Sequence, residues 1–116
     1  MLTRADLLLQ SCQAKLEAAS DTEIHAALAL LSGWHREADT LVRSFSFRDY
    51  HQTIDFVNAI AAMIHQEDHH PDLQVGYKLC KVSYSTHSVN NGKGGLSHND
   101  FICAAKIDDI FAQRFS

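Results

Sequence analysis

The sequence predicts an α+β protein with a four-stranded, mainly antiparallel sheet and helices packed on one of its faces. The hydrophobic period alternates along the chain between two and about 3.6 residues, which gives the order α-β-β-α-β-β-α. The links between these segments are short, and 116 residues suffice for one domain with one core. The uncovered face of such a sheet must either be polar or pack against another subunit.

The first half of the order begins at residue 20. Ser20 and Glu23 have the spacing of a capping box, and residues 24–31 are rich in the helix formers Ala and Leu. Gly33 stands where the end of a helix favours a left-handed residue. Two strands are predicted over residues 34–38 and 40–47, and the short turn between them favours an antiparallel pair.

The second half begins with Asp49, a candidate N-cap for a helix whose apolar residues recur every three or four positions. Pro71 requires this helix to end before it. Residues 73–85 favour strand, with a break at 76–78, and a glycine-rich loop follows. The segment from Ser97 to Asp100 has the form of another helix start.

Residues 20–116 are therefore predicted to form the domain, and residues 1–19 are an N-terminal extension without an assigned role. Leu7, Leu8, Leu9 and Leu16, placed among polar residues, could give this extension one short amphipathic helix. The net charge of −4 and the pI of about 6.0 argue against an electrostatic nucleic-acid surface.

The three cysteines of the chain are Cys12, Cys80 and Cys103. They form no C-x-x-C pair and are odd in number, which favours buried free thiols in a reducing compartment. No apolar run is long enough to span a bilayer, and the first residues lack the layout of a signal peptide. We therefore expect a cytoplasmic protein without membrane contact.

Candidate acid–base residues are concentrated between His65 and Asp100. The segment contains His69-His70-Pro71 at a predicted helix exit and His87 at a predicted strand end beside the glycine-rich loop. Histidine titrates near neutral pH, so grouped histidines can both donate and accept protons. Each residue alone also has a simpler explanation: a solvated helix exit, an exposed strand end, or, for Asp100, a complement to the helix dipole.

Other chemistries have weaker support in the sequence. Three histidines and a carboxylate can bind zinc, but Pro71 leaves no clear pair of histidines four residues apart within one helix. No serine or cysteine lies in a nucleophile elbow, and the loop around Lys93 lacks P-loop spacing. We therefore predict no metal site.

Taken together, these residues resemble the signature of the pterin-4a-carbinolamine dehydratases. The resemblance covers about residues 20–111. It rests on one set of positions: Trp34, Phe45-Ser46-Phe47, Asp49, His65, His69-His70-Pro71, Tyr77, Ser85-Thr86-His87, and Gly94-Gly95-Leu96-Ser97 to Asp100. It implies a four-stranded antiparallel sheet with helices on one side, and dehydration of a 4a-hydroxytetrahydropterin to the quinonoid dihydropterin without a cofactor. In that family the step recycles the pterin of aromatic amino-acid hydroxylases.

The resemblance also implies roles for individual residues. The catalytic set is His69, His70 and His87, of which the first and last are candidates for acid catalysis and His70 is more concerned with binding. The residues expected to line or support the substrate are His65, Asp68, Pro71, Thr86, Ser88 and Asp100. Several family members have glutamate at the position of His65, so the role of that position stays open.

Two other functions remain open. The same pocket could serve a pterin-binding protein of another pathway, such as molybdopterin metabolism. Animal members of the family also act as dimerisation cofactors of a homeodomain transcription factor, so an interaction module is the second alternative. The resemblance implies a homodimer formed by edge-to-edge strand pairing, or a homotetramer of such dimers joined through helices.

Overall fold

The computed structural model describes residues 2–116 and confirms the α+β prediction. A short helix in the N-terminal extension precedes the expected order of elements. In chain order the elements are α1 (Arg4–Leu9), α2 (Asp21–Leu30), β1 (His35–Glu37), β2 (Thr40–Ser46), α3 (Tyr50–Glu67), β3 (Asp72–Val75), β4 (Leu79–Tyr84) and α4 (His98–Arg114). No helix within residues 2–116 has both the length and the apolar character that crossing a bilayer requires.

Local side-chain signals set the helix boundaries. Ser20 and Glu23 form the predicted capping box at the start of α2, and Asp49 accepts a hydrogen bond from the backbone N–H of Gln52 at the start of α3. At the other end of α3, Asp68 adopts the left-handed conformation with φ 53°. The helix therefore ends before Pro71, as predicted, and the chain turns into β3.

The four strands form one antiparallel sheet in the order β1-β2-β4-β3. The register pairs Leu41 with Tyr84 and Phe45 with Cys80, so these buried residues share one face. The opposite face is mixed: it carries exposed Ser44 and the ion pair of Lys81 with Glu37, 3.9 Å apart, together with the apolar residues Val42 and Leu79.

The core lies between the buried sheet face and the long helices α3 and α4. Phe45 packs against Phe56 of α3 and Phe111 of α4 with ring centroids 4.8 and 5.0 Å apart. Beside this cluster, Asp108 of α4 accepts hydrogen bonds from Trp34 Nε1 at 2.8 Å and from the Arg43 guanidinium at 2.7 Å. This buried polar contact ties the N-terminal side of the sheet to α4.

All three cysteines are free thiols. Cys80 and Cys103 are buried as predicted, whereas Cys12 is only half-buried. Burial raises the pKa of the Cys80 thiol to about 11, which keeps it protonated at neutral pH. Cys12 belongs to the N-terminal extension, and its Sγ lies 3.5 Å from Sγ of Cys103 in α4.

Candidate active site

A cavity of about 550 Å³ opens where the α3–β3 link, the end of β4 and the start of α4 meet. Its lining contains titratable and hydroxyl side chains from two separate parts of the chain, residues 68–72 and 85–88. The lining residues predicted from the sequence are Asp68, His69, His70, Pro71, Thr86, His87 and Ser88. The volume is within the range of about 300–1,000 Å³ that is usual for small-molecule sites.

His69 is the most firmly held of the histidines at this cavity. Its ring stacks on Tyr84 with centroids 5.2 Å apart, and the Tyr84 hydroxyl donates a hydrogen bond to the His69 carbonyl. Ring atom Nε2 lies 2.6 Å from Oδ1 of Asp100, and only 13% of the side chain is exposed. Within residues 2–116, Nδ1 has no hydrogen-bond partner, so it is the nitrogen left for a ligand.

Asp100 is fully buried and joins the site to the start of α4. Its Oδ2 accepts hydrogen bonds from the backbone N–H of Ser97 at 2.9 Å and from Thr86 Oγ1 at 3.0 Å. The hydroxyls of Thr86 and Ser97 are themselves 2.6 Å apart. One carboxylate therefore closes the capping box of α4 with one oxygen and holds His69 with the other.

The electrostatics of this pair favour a protonated His69. Burial lowers the pKa of His69, but the hydrogen bond and the negative charge of Asp100 outweigh burial and raise the pKa above its ordinary value. When the ring is neutral, the carboxylate selects the tautomer with the proton on Nε2, which leaves Nδ1 as an acceptor. His69 can therefore donate a proton through Nδ1 or accept one there.

The other two predicted catalytic histidines lie at the cavity with exposed side chains. His70 follows His69 directly at the exit of α3. His87 follows the bridge in which Thr86 and Gly95 exchange backbone hydrogen bonds of 2.8 and 3.1 Å. This bridge closes the glycine-containing loop and fixes the point from which His87 and Ser88 extend.

Two predicted residues do not line the cavity. Asp100 lies behind His69 and reaches the site through it. His65 is exposed on the last turn of α3, with its ring centroid 6.4 Å from that of His70. The prediction that His65 and Asp100 contact the substrate therefore has no support from the cavity, whereas a supporting role for Asp100 does.

Six lining residues were not predicted as site residues from the sequence, namely Asp72, Ser85 and Asn99, and Gln13, Ala14 and Leu16. The last three belong to the N-terminal extension and cover the cavity from the side of α4. Asn99 at the start of α4 holds them, because its amide bonds both backbone polar groups of Gln13 at 2.9 Å. No local motif marks these positions, since the contacts join residues 86 apart in the chain.

The histidines and aspartates at the cavity are residue types that can also bind a metal ion. Within the part of the chain that the structure describes, no three His, Cys, Asp or Glu side chains are grouped as ligands would be. The nearest acid–base pair is His69 with Asp100, whose contact is that of a hydrogen bond. Fold and site together define an α+β protein with a histidine–carboxylate pocket suited to moving protons.

Comparison with known proteins identifies the family. Residues 17–110 match the model of the family described as "Pterin 4 alpha carbinolamine dehydratase", and the chain belongs to this family. A relative in Bdellovibrio bacteriovorus, provisionally named a pterin-4-alpha-carbinolamine dehydratase, is 47% identical over 116 residues, covering 100% of this chain and 97% of its own. A relative in Nitrosospira multiformis with the same provisional name is 49% identical over 100 residues, covering 86% and 85%.

Solved structures agree with the fold. A transcriptional coactivator/pterin dehydratase from Brucella melitensis superposes with a TM-score of 0.73 at 29% identity, covering 80% of this chain and 97% of that one. A pterin dehydratase-like protein described as a RuBisCO assembly factor in the alpha-carboxysome has a TM-score of 0.54 at 22% identity, covering 66% and 84%. At that identity the second likeness concerns the fold alone.

Proposed function

We propose that this protein dehydrates a 4a-hydroxytetrahydropterin to the quinonoid dihydropterin and water, with histidines as general acid and base. The observation that carries the proposal is the cavity in which His69, backed by buried Asp100, lies with His70 and His87. Family membership supplies the substrate class. The step would recycle the pterin cofactor of aromatic amino-acid hydroxylases.

The chemistry needs one acid and one base and no change of oxidation state. The C4a hydroxyl takes a proton and leaves as water, while the N5 lone pair forms the C4a=N5 double bond. The proton on N5 then passes to a base, so the protein ends with the protons that it started with. Groups with pKa values near neutrality serve both ends of this exchange.

His69 suits the acid role because Asp100 raises its pKa and so increases the protonated fraction near neutral pH. The burial of Asp100 and its two hydrogen bonds hold the ring in one orientation. His87 lies at the same cavity just after the end of β4, and its side chain is exposed. We assign it the role of the second acid–base group. His70, also exposed, is proposed to bind the substrate.

The remaining predicted residues have supporting roles in this proposal. Asp68, Pro71 and Ser88 line the cavity and would contact the pterin. Thr86 lines it too, but its hydroxyl is engaged with Ser97 and Asp100, so its main effect is to position the carboxylate. His65 would act only through its neighbour His70.

The decisive test is a dehydratase assay with chemically generated 4a-hydroxytetrahydropterin. We expect the purified protein to accelerate formation of the quinonoid product, followed by absorbance, well beyond the spontaneous rate. A protein that binds pterin but leaves the spontaneous rate unchanged would instead favour a pterin-binding role in another pathway. A protein that does neither would favour the interaction module.

A further inference from the structure

The N-terminal extension forms a wall of the cavity. Residues 10–16, which we call the strap, follow α1 and cross the start of α4. Gln13, Ala14 and Leu16 of the strap line the cavity. The part of the chain that matches the family model begins at residue 17, so this wall lies outside the segment on which the family is defined.

Several hydrogen bonds hold the strap to the long helices. The Asn99 amide accepts from the Gln13 N–H and donates to the Gln13 carbonyl, both at 2.9 Å. The backbone N–H of Cys12 donates to Glu67 of α3 at 2.8 Å, and the same carboxylate pairs with Lys106 at 2.9 Å. The side chain of Glu67 is 5% exposed and that of Lys106 is 18% exposed, so the strap is held by a partly buried ion pair.

We propose that the strap determines which substituent on the pterin ring the site accepts, with Asn99 as the residue that positions it. This inference rests on the proposed function. The three strap residues at the cavity have no titratable side chain, so they contribute shape and contact rather than proton transfer. The proton-transfer groups come from the α3–β3 link and the end of β4.

The chemistry of the wall matches one part of the substrate. The pyrimidine edge of a pterin presents several N–H and C=O groups, which require polar partners. The side chains of Ala14 and Leu16 cannot supply such partners, but they can pack against an alkyl substituent at C6. The side-chain carbonyl of Gln13 has no partner within residues 2–116 and can accept a hydrogen bond from a hydroxyl on that substituent.

The experiment compares two 4a-hydroxytetrahydropterins that differ only at C6, one with methyl and one with dihydroxypropyl. We expect Leu16→Ala to lower the kcat/KM ratio of the longer to the shorter substrate by about 10-fold, since a few missing carbon contacts have effects of this size. Leu9→Ala is the matched control, because Leu9 is 86% exposed and lies outside the strap. It should leave the ratio unchanged.

Asn99→Ala tests the positioning role. We expect it to lower the same ratio mainly through KM of the longer substrate, whereas a general structural defect would lower kcat for both. Asn58→Ala, at an exposed position of α3, is the matched control. Binding of the corresponding stable oxidised pterins, followed by fluorescence, gives a readout that does not require turnover.

The outcomes separate the two proposals. If the wild type dehydrates both substrates and neither Leu16→Ala nor Asn99→Ala changes the kcat/KM ratio, the strap inference is wrong and the proposed function stands. If the wild type dehydrates neither but Leu16→Ala selectively weakens binding of the longer oxidised pterin, the proposed function is wrong and the strap inference stands. If the wild type binds no pterin, both are overturned.

Discussion

Asp100 connects the stability of α4 to the protonation of His69. The carboxylate is fully buried and accepts hydrogen bonds from Ser97 and Thr86 while it contacts the imidazole. Because the pKa of His69 is raised in the folded state, the stabilisation from this pair is complete below the ordinary histidine value of 6.5. It is lost as the pH rises through the raised value.

Asp100→Asn tests this coupling. The change removes the charge of Asp100, which with its hydrogen bond raises the pKa of His69 against the opposing effect of burial, so the pKa should fall relative to the wild type. As the pH is raised, we therefore expect the dehydration rate of the variant to begin to decline at a lower pH than that of the wild type. The measurements are an NMR titration of the His69 ring and a pH–rate profile, with exposed Asp55→Asn as the control. An unchanged His69 titration would contradict the coupling.

The three cavity histidines should respond differently to removal. We expect His69→Ala and His87→Ala each to lower kcat by about 10- to 1,000-fold, the range that general acid–base groups supply. His70→Ala should act mainly by raising KM, since a binding contact stabilises ground and transition states alike.

Steady-state kinetics would measure these effects, with His25→Ala as a control at an exposed position of α2. His65→Ala should cause a smaller loss than either acid–base variant, because His65 lies outside the cavity lining. Turnover near the wild-type level in both His69→Ala and His87→Ala would remove these residues from the mechanism.

At the scale of elements, the contact of Asp108 with Trp34 and Arg43 joins α4 to the sheet. Asp108 is 6% exposed and Arg43 is 23% exposed on their side chains. Asp108→Ala would leave the indole N–H and the guanidinium without their acceptor in a partly buried place.

We expect Asp108→Ala to lower the free energy of unfolding by about 2–4 kcal/mol, because truncating one partner of a buried pair strands the other. Denaturant unfolding measures this value, and Asp55→Ala on the exposed side of α3 is the matched control. A loss as small as in the control would show that the contact adds nothing to stability.

At the scale of the whole molecule, the two sheet edges differ. Edge strand β1 has three residues, His35, Arg36 and Glu37, all exposed and ionisable. Edge strand β3 ends in Val75, which is 43% exposed, and exposed Tyr77 follows it. Charged side chains discourage strand pairing, so β3 is the edge that we propose pairs with a second copy.

We therefore predict a dimer or tetramer with closed symmetry, formed by pairing of β3 edges. Val75→Lys should shift the protein towards monomer in sedimentation at micromolar concentration. Leu9→Lys is the control, since it also replaces an exposed apolar residue but lies on α1. A wild type that sediments only as a monomer would refute the assembly prediction without affecting the active-site prediction.

Another prediction for the whole protein is that its proposed reaction needs no metal ion. We expect dialysis against a strong chelator to leave the dehydration rate unchanged, since the proposed acid and base are side chains. Rate measurements before and after dialysis, with zinc added back to one portion, decide the matter. Activity that is lost on dialysis and restored by zinc would favour the metal alternative.

The local elements of this protein could be predicted from the sequence because their causes are local. The capping residues Ser20, Asp49 and Asp100 act on backbone groups within about four residues, so the sequence itself contains both partners of each contact. The strands over residues 73–85 were predicted from a run of residues that favour strand. The end of α3 was predicted because Pro71 cannot continue a helix and restricts the backbone of the residue before it. The histidines at the cavity were predicted because their spacing resembles the signature of the pterin-4a-carbinolamine dehydratases.

Other features depend on packing between distant segments. Asp100 could be predicted as a helix-capping residue, but its hold on His69 joins positions 31 apart and depends on how α4 meets the end of α3. The strap has no motif of its own, because a single amide 86 residues later holds its backbone. Short-range hydrogen bonds are determined by the sequence alone, whereas the tertiary structure decided which buried carboxylate meets which histidine and which segment closes the cavity.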